Sequence, residues 1–252
     1  MLNHRLTALA LALMLPLGAL QAAPADVAAA VAAQDRRPQA IAADEGRRPA
    51  EVLTWLGLER GDHVLDYFTG GGYYADIIAR AVGPEGHVTG WNPPGAAGNA
   101  QVREALEGIA ARRANATFVS SPVTDLSFPA ESFDFVLLHL AYHDAYWESE
   151  QFGVPRIDPA IVTRALFAAT KPGGTVAVID HVAPAGGDTR AVVEATHRID
   201  PAVVRADFER AGFVFDGESE LLRNPQDDYS KGVFDEAVRG RTDRFIYRFR
   251  RP

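Results

Sequence analysis
The sequence predicts an α/β protein built on a mostly parallel sheet, and three observations carry that expectation. The stretch from His63 to Asn92 reads as a buried strand (Val64 to Tyr67), a glycine-rich turn (Gly70, Gly71, Gly72), a helix (about Tyr73 to Ala81) and a second strand (His87 to Trp91). Parallel strands need a crossover of this kind. The run Phe133 to Leu138 is apolar without interruption, as in a strand covered on both faces. Helical and extended patterns alternate along the rest of the chain, the order that produces a parallel sheet.

At 252 residues, 47% hydrophobic and 23% charged, the chain suits one globular domain with a substantial core. Its net charge of −8 argues against a nucleic-acid partner, which needs Lys and Arg clustered on a face. Met1 to Ala23 has the layout of a secretory signal peptide: His4 and Arg5, the apolar run Leu6 to Leu15, Leu17 to Leu20 beyond Pro16, then the small residues Ala22 and Ala23. That run is too short and interrupted to span a bilayer comfortably. A periplasmic or secreted protein with no stable membrane span after cleavage is expected. The absence of cysteine removes disulfides and lipobox attachment, and remains compatible with export.

Residues 24–43 are alanine-rich and read as a linker, helical near Val27 to Ala33 and without chemistry, leaving 44–252 as the folded domain. Arg47 and Arg48 precede a helix over about Ala50 to Leu56, where Pro49 suits the first helical position and Leu53, Leu56 and Leu58 can cover the sheet. The two arginines read as a solvated cap or as carboxylate ligands ahead of the first strand. Beyond Asn92-Pro93-Pro94-Gly95 come a helix (about Gln101 to Arg113), a third strand (Ala116 to Ser120), the fourth (Phe133 to Leu138), a helix (about Asp158 to Thr170), the turn Lys171 to Gly174 and a fifth strand (Thr175 to Ile179). The late segment LLRNPQDDYSKGVFDEAVRG reads as a polar loop solubilised by Asn224, Asp227 and Asp228, or as a lid. Phe245, Tyr247 and Phe249, alternating with Ile246, Arg248 and Arg250, read as an edge strand with a charged outer side.

The residues Asp66, Phe68, Gly70 and Gly72 resemble the DxGxGxG loop of class I S-adenosylmethionine (SAM)-dependent methyltransferases. The phosphate-binding dinucleotide loop fits worse, since the GxGxxG spacing is not met and the P-loop Lys-Ser/Thr is absent. With the KPGG turn before VAVIDH, and AGFVFDGESELL followed by TDRFIYRFR, the likeness extends over about Ala50 to Arg250. It implies a Rossmann-like class I methyltransferase fold: a mostly parallel sheet with helices on both faces and a C-terminal antiparallel strand. RRPAEVL, GGGYY, YHDAYW, VIDHVAP and THRID, together with the export signal, are similar to a group of predicted exported methyltransferases.

The resemblance implies SAM as cofactor, bound by Asp66, Phe68, Gly70, Gly71, Gly72, Asn92, Asp125 and His139. Three departures stand out. Phe68 occupies the place of the loop's first glycine, Asn92 that of the acid that holds the ribose hydroxyls, and Pro122 lies near the usual adenine-contacting acid, with Asp125 three residues later.

Ligands of open α/β sheets lie beyond the carboxyl ends of the strands. The chain has seven histidines, and His139, His143, His181 and His197 fall at or soon after the ends of the fourth and fifth strands. Methyl transfer to a hydroxyl needs in-line approach and removal of a proton. His143 suits the base, because imidazole titrates near neutrality, with Asp144 or Asp180 orienting it and His181 beside them. Tyr142 and Trp147 would wall a small-molecule substrate, and His197 and Arg198 would touch it. IDHVAPAGG also has a likeness to the strand-end DN segment of catechol-type O-methyltransferases, which holds a divalent metal. Here His181 replaces the Asn, favouring a softer ion such as Zn²⁺ or no metal. No metal ligand is assigned. The competing classes are a SAM- or metabolite-binding module that has lost transfer, and a metal-assisted hydrolase.

Overall fold
The computed structural model describes residues 23–252, so the expected signal peptide lies outside the described residues except for Ala23. Seven strands form one sheet in the order β3-β2-β1-β4-β5-β7-β6. They are β1 (His63–Tyr67), β2 (His87–Asn92), β3 (Ala116–Ser120), β4 (Phe133–His139), β5 (Thr170–His181), β6 (Val214–Ser219) and β7 (Arg244–Arg250). The pairs β1–β2, β1–β4, β2–β3 and β4–β5 are parallel, and β7 runs antiparallel to both β5 and β6.

Ten helices accompany the strands among the described residues: α1 (Val27–Val31), α2 (Pro38–Ala42), α3 (Asp44–Arg47), α4 (Pro49–Leu56), α5 (Tyr73–Ala81), α6 (Pro94–Ala97), α7 (Ala100–Arg112), α8 (Ala160–Ala169), α9 (Thr189–Thr196) and α10 (Pro201–Arg210). Their starts follow local chemistry. Asn99, Asp188 and Asp200 accept hydrogen bonds from the first free amides of α7, α9 and α10, and Pro49 and Pro201 occupy first turns.

Alternation along the strands divides the core in two. Val64, Phe135, Leu137, Ala177 and Ile179 meet α1, α4, α5 and α7, whereas Leu65, Val136, Leu138, Val176 and Val178 meet α8 and α10 on the other face. The β3–β4 connection carries only a 3₁₀ turn, Val123–Asp125. A hollow of about 420 Å³, lined in part by His63, His87, Thr117 and Phe128, lies on that face of the sheet.

Two sequence expectations need correction. Residues 24–43 are not a linker. Val27 and Ala30 are buried in the first core, Pro24 bridges to Glu59, and the buried Arg36 guanidinium binds Asp44 through two hydrogen bonds of 2.6 and 2.7 Å. Alanine-rich helices of five residues carry too weak a periodicity to advertise this packing. The Phe245–Phe249 strand is also not an edge. β7 lies between β5 and β6, and the edge falls to β6. Arg248 and Arg250 stay solvated at one flank by reaching Asp216, at 2.8 and 3.1 Å.

Candidate functional site
The glycine-rich turn after β1 is held in a shape that suits a ligand. Gly72 caps α5 with φ 76°, and a Cβ there would stand 2.5 Å from Ile109 Cδ1, so only glycine fits. Gly70 has φ 54° and open space where a Cβ would project. Asn92, at the end of β2, accepts from the Gly70 amide at 2.9 Å and donates to its carbonyl at 3.0 Å. Asn92 is thereby engaged in shaping the loop and is fully buried, rather than presenting its amide to a ribose. Asp66 accepts from the Thr69 hydroxyl at 2.5 Å. Burial pushes its carboxyl up to about 6, against the opposing pull of that hydrogen bond.

Above this loop lies a cavity of about 380 Å³, within the range of roughly 300–1,000 Å³ common for small-molecule sites. Its floor is Asp66, Phe68, Thr69, Gly70 and Gly71; His139 and Leu140 come from the end of β4 and Tyr73 and Tyr74 from α5. Arg37, Gln39, Ala40, Ala43 and Arg47 complete it from α1–α3 and their connections. Two buried polar atoms in its wall, the Tyr74 hydroxyl and His139 Nε2, have no hydrogen-bond partner among the described residues. Their rings are 4.8 Å apart and steeply inclined. Burial, with the nearby Arg47 and Arg244, holds the His139 imidazole well below its usual pKa and therefore neutral. The Arg47 guanidinium lies 4.1 Å from the Tyr73 ring centre, and among the described residues no carboxylate reaches ion-pair distance of it. Arg37 donates to the Gly71 carbonyl.

These features fit SAM. The orphaned hydroxyl and imidazole supply hydrogen bonds that a bound polar molecule would complete, Arg47 offers a cation to a carboxylate, and the loop leaves open space at Gly70. Of the residues expected around the cofactor, Asp66, Phe68, Gly70, Gly71 and His139 line the cavity, Gly72 and Asn92 shape it from behind, and Asp125 sits exposed in the 3₁₀ turn outside its wall. Tyr73, Tyr74, Leu140, Arg37, Gln39, Ala40 and Ala43 were not singled out as ligands by sequence. The double tyrosine after the glycines was the one local signal.

A second group gathers beyond β4 and β5. The buried His143 has Nδ1 2.7 Å from Asp180 Oδ1, and its backbone amide donates to Asp180 Oδ2 at 2.9 Å. Asp144 Oδ1 lies 3.4 Å from Nε2. Burial alone would lower the His143 pKa, but Asp180 and then Asp144 override it and raise it to about 9. The two carboxylates thus hold the imidazole proton more firmly than a free histidine holds its own, so service as a base requires that proton to leave first. His181 behaves oppositely: burial lowers it to about 3, and its Nδ1 is 2.7 Å from Thr242 Oγ1.

Two expected substrate contacts point elsewhere. Tyr142 is fully buried in the second core and donates to Asp207 at 2.8 Å. Arg198 is also fully buried, pairing with Asp227 at 2.8 and 3.0 Å, so Asp227 is a structural anchor rather than a loop solubiliser. Trp147 and His197 remain partly open, their rings 5.1 Å apart. Among the described residues no group of three or more His, Cys, Asp or Glu converges as a metal ion would require.

A sheet in this order, with its hollow over the first glycine loop, is the arrangement of a Rossmann-like class I methyltransferase. A family profile described as a methyltransferase domain matches residues 58–218, more than half of the chain, and the chain belongs to that family. The demethylmenaquinone methyltransferase of Listeria welshimeri is 30% identical over 138 residues, 53% of this chain and 51% of that protein. The chain thus spans about half the length of the curated relatives it matches first. A SAM-dependent methyltransferase structure from Aquifex aeolicus has a TM-score of 0.57 at 18% identity, covering 86% of this chain and 94% of its own. One from Mesorhizobium loti has 0.53 at 17%, covering 83% and 100%. The [4+2]-cyclase SpnF, at 0.56, 19% identity, 93% and 88%, shares the fold with a different chemistry in its name. At these identities the likeness shows the fold, and the site must carry the function.

Proposed function
We propose that the protein is a SAM-dependent methyltransferase acting on a small-molecule acceptor outside the cytoplasm, as the likeness to predicted exported methyltransferases suggests. The observation that carries the cofactor-binding reading is the 380 Å³ cavity, whose wall sets the Arg47 cation and two buried polar atoms, all without a polar partner among the described residues, over the glycine loop. In this reading Arg47 holds the methionine carboxylate, Gly70 and Gly71 bring backbone close to the ligand, and Tyr74 and His139 provide polar contacts. When bound, the cofactor supplies an electrophilic methyl group. The chain's part is to align an acceptor with it and to accommodate the proton released. His143, held by Asp180 and Asp144, is a positioning residue beside that path. The relatives' names include demethylmenaquinone methyltransferase, which supports a small-molecule acceptor. The export proposal rests on the layout of Met1 to Ala23, and the N-terminal sequence of protein recovered from its native compartment tests it.

Calorimetric titration with SAM and S-adenosylhomocysteine tests the cofactor. Both should bind, and Arg47→Ala should weaken each by about 10- to 100-fold, the loss of a charge-assisted contact. Failure of either ligand to bind the wild-type protein would remove the reading. A second reading, a binding module without transfer, is favoured by one observation: both amide atoms of Asn92 are occupied by Gly70, at the position where an acid was expected to grip the ribose. Methyl release from bound SAM to an acceptor separates the two.

A further inference from the structure
The cavity over the glycine loop carries more positive charge than the single carboxylate of a cofactor can answer. Arg47 meets no carboxylate at ion-pair distance among the described residues, because Asp44, on the same helix, is engaged by two hydrogen bonds from Arg36 and one from the Tyr73 hydroxyl. Arg37 is a second guanidinium in the wall. It donates one N–H to the Gly71 carbonyl, and among the described residues it too pairs with no carboxylate. Arg244 is buried close by, donating to the carbonyls of Thr242 and of Gly46, the neighbour of Arg47, again with no acid at ion-pair distance among the described residues. A buried cation without a counter-charge is costly, so such a wall favours an anionic guest.

The same wall offers no free base. Its one carboxylate, Asp66, is buried, accepts from the Thr69 hydroxyl at 2.5 Å and is engaged by the Ala75 amide. The Tyr73 hydroxyl donates to Asp44, and burial keeps the Tyr74 hydroxyl protonated. Burial and the neighbouring arginines disfavour a proton on His139. His143 lies outside the lining, and Asp180 and Asp144 hold its proton in place. A neutral alcohol or phenol would have to surrender a proton during transfer, and no side chain of the wall is placed to take it. A carboxylic acid, with a pKa of about 4, has already lost its proton in neutral water.

We propose that the methyl acceptor is a carboxylate anion held by Arg37, and that the product is its methyl ester. The inference rests on the methyltransferase reading and names its acceptor class. One carboxylate oxygen meets the guanidinium. A lone pair of the other forms the new O–CH₃ bond as the S–CH₃ bond breaks and its electron pair stays on sulfur. The carboxylate becomes a neutral ester, the sulfonium a neutral thioether, and no proton moves. Arg47 and Arg37 thus have separate partners within one enclosure: the carboxylate of the cofactor and that of the acceptor.

The rings of Phe68, Tyr73 and Tyr74 in the wall suit an aryl carboxylate as a probe. Calorimetry on the full chain, first free and then saturated with S-adenosylhomocysteine, compares benzoate with its uncharged counterpart, benzyl alcohol. Benzoate should bind the loaded protein saturably and about tenfold more tightly than the alcohol, the difference a charge-assisted contact makes. Arg37→Gln should weaken benzoate by about tenfold while leaving S-adenosylhomocysteine within about twofold, and Arg37→Lys should restore part of the loss. The wild-type comparison does not depend on how the variants fold. Equal binding of acid and alcohol, or an Arg37→Gln loss that falls on S-adenosylhomocysteine and spares benzoate, overturns the proposal. Loaded protein that takes S-adenosylhomocysteine but no benzoate removes the carboxylate acceptor and leaves the methyltransferase reading standing. Arg37-dependent binding of benzoate by a protein that ignores both SAM and S-adenosylhomocysteine removes that reading, and the acceptor role with it.

Discussion

Phe68 keeps the left-handed backbone (φ 56°) that the glycine loop needs, although it carries a side chain in that loop's first glycine position. Such a conformation costs a side-chain-bearing residue about 1–2 kcal/mol. The ring offsets part of this by meeting Trp91 edge-on at 6.4 Å. Leu140, across the cavity, has φ 56° as well. Backbone strain of this kind collects at ligand sites. The imidazoles supply a pH signature. His143 has a raised folded pKa, so its stabilising contribution is complete below the unfolded value of 6.5 and is lost as pH rises toward about 9. His181 has a lowered one, so its contribution is complete above 6.5 and is lost as pH falls toward about 3. Urea unfolding measured from pH 4 to pH 10 should therefore show greatest stability between the two limbs. Asp180→Asn should lower stability throughout and flatten the alkaline limb, by removing the partner that holds the proton on His143. At this scale the residue types of the site were legible in the sequence, since glycines and clustered His and Asp follow strand ends. Their orientations were not: Tyr142 and Arg198 sit among candidates by position, yet pair with Asp207 and Asp227, whose proximity arises across 65 and 29 residues.

At the scale of elements, α1–α3 do the most that their sequence conceals. They place Arg37, Gln39, Ala40, Ala43 and Arg47 around the cavity and seat Val27 and Ala30 in the core. The Arg36–Asp44 pair also receives the Tyr73 hydroxyl at 2.6 Å, which ties this segment to the helix that follows the glycine loop. Deleting residues 24–43 should cost about 3–5 kcal/mol in urea unfolding, from lost apolar burial and an unpaired Asp44. It should also weaken SAM binding by at least about tenfold, since the cavity loses one side. If binding persists unchanged, the segment is a support and no part of the site. By contrast α5 was readable to the residue. A glycine turn precedes it and apolar residues fill nearly its whole length, because it lies between the sheet and α1. Short helices differ because three turns of periodicity, the signal that sequence reading relies on, do not fit into five residues.

Across the whole molecule, the insertion of β7 between β5 and β6 decides which positions matter. Phe249 is completely buried and stacks on Phe208 with ring centres 4.9 Å apart. Val214 on β6 is 55% exposed. Phe249→Ala should cost about 3–5 kcal/mol, whereas Val214→Lys should stay within about 0.5 kcal/mol. Comparable losses by equilibrium unfolding at both positions would contradict the strand order. The same order brings β4 and β5 side by side, so that His143 can meet Asp180, and it returns the chain after β7's predecessor to place Phe234 beside His197.

By itself the sequence determined the alternation of strands and helices, the glycine loop after β1 and the inventory of chemistry at the strand ends, because each is written in neighbouring residues as period, propensity or turn type. Tertiary structure alone decided that 24–43 walls the cavity, that β7 is interior, and which imidazole holds its proton, stays neutral or lies open. Those outcomes depend on burial and on partners distant in the chain, and neither quantity exists until the sheet has closed around its two cores.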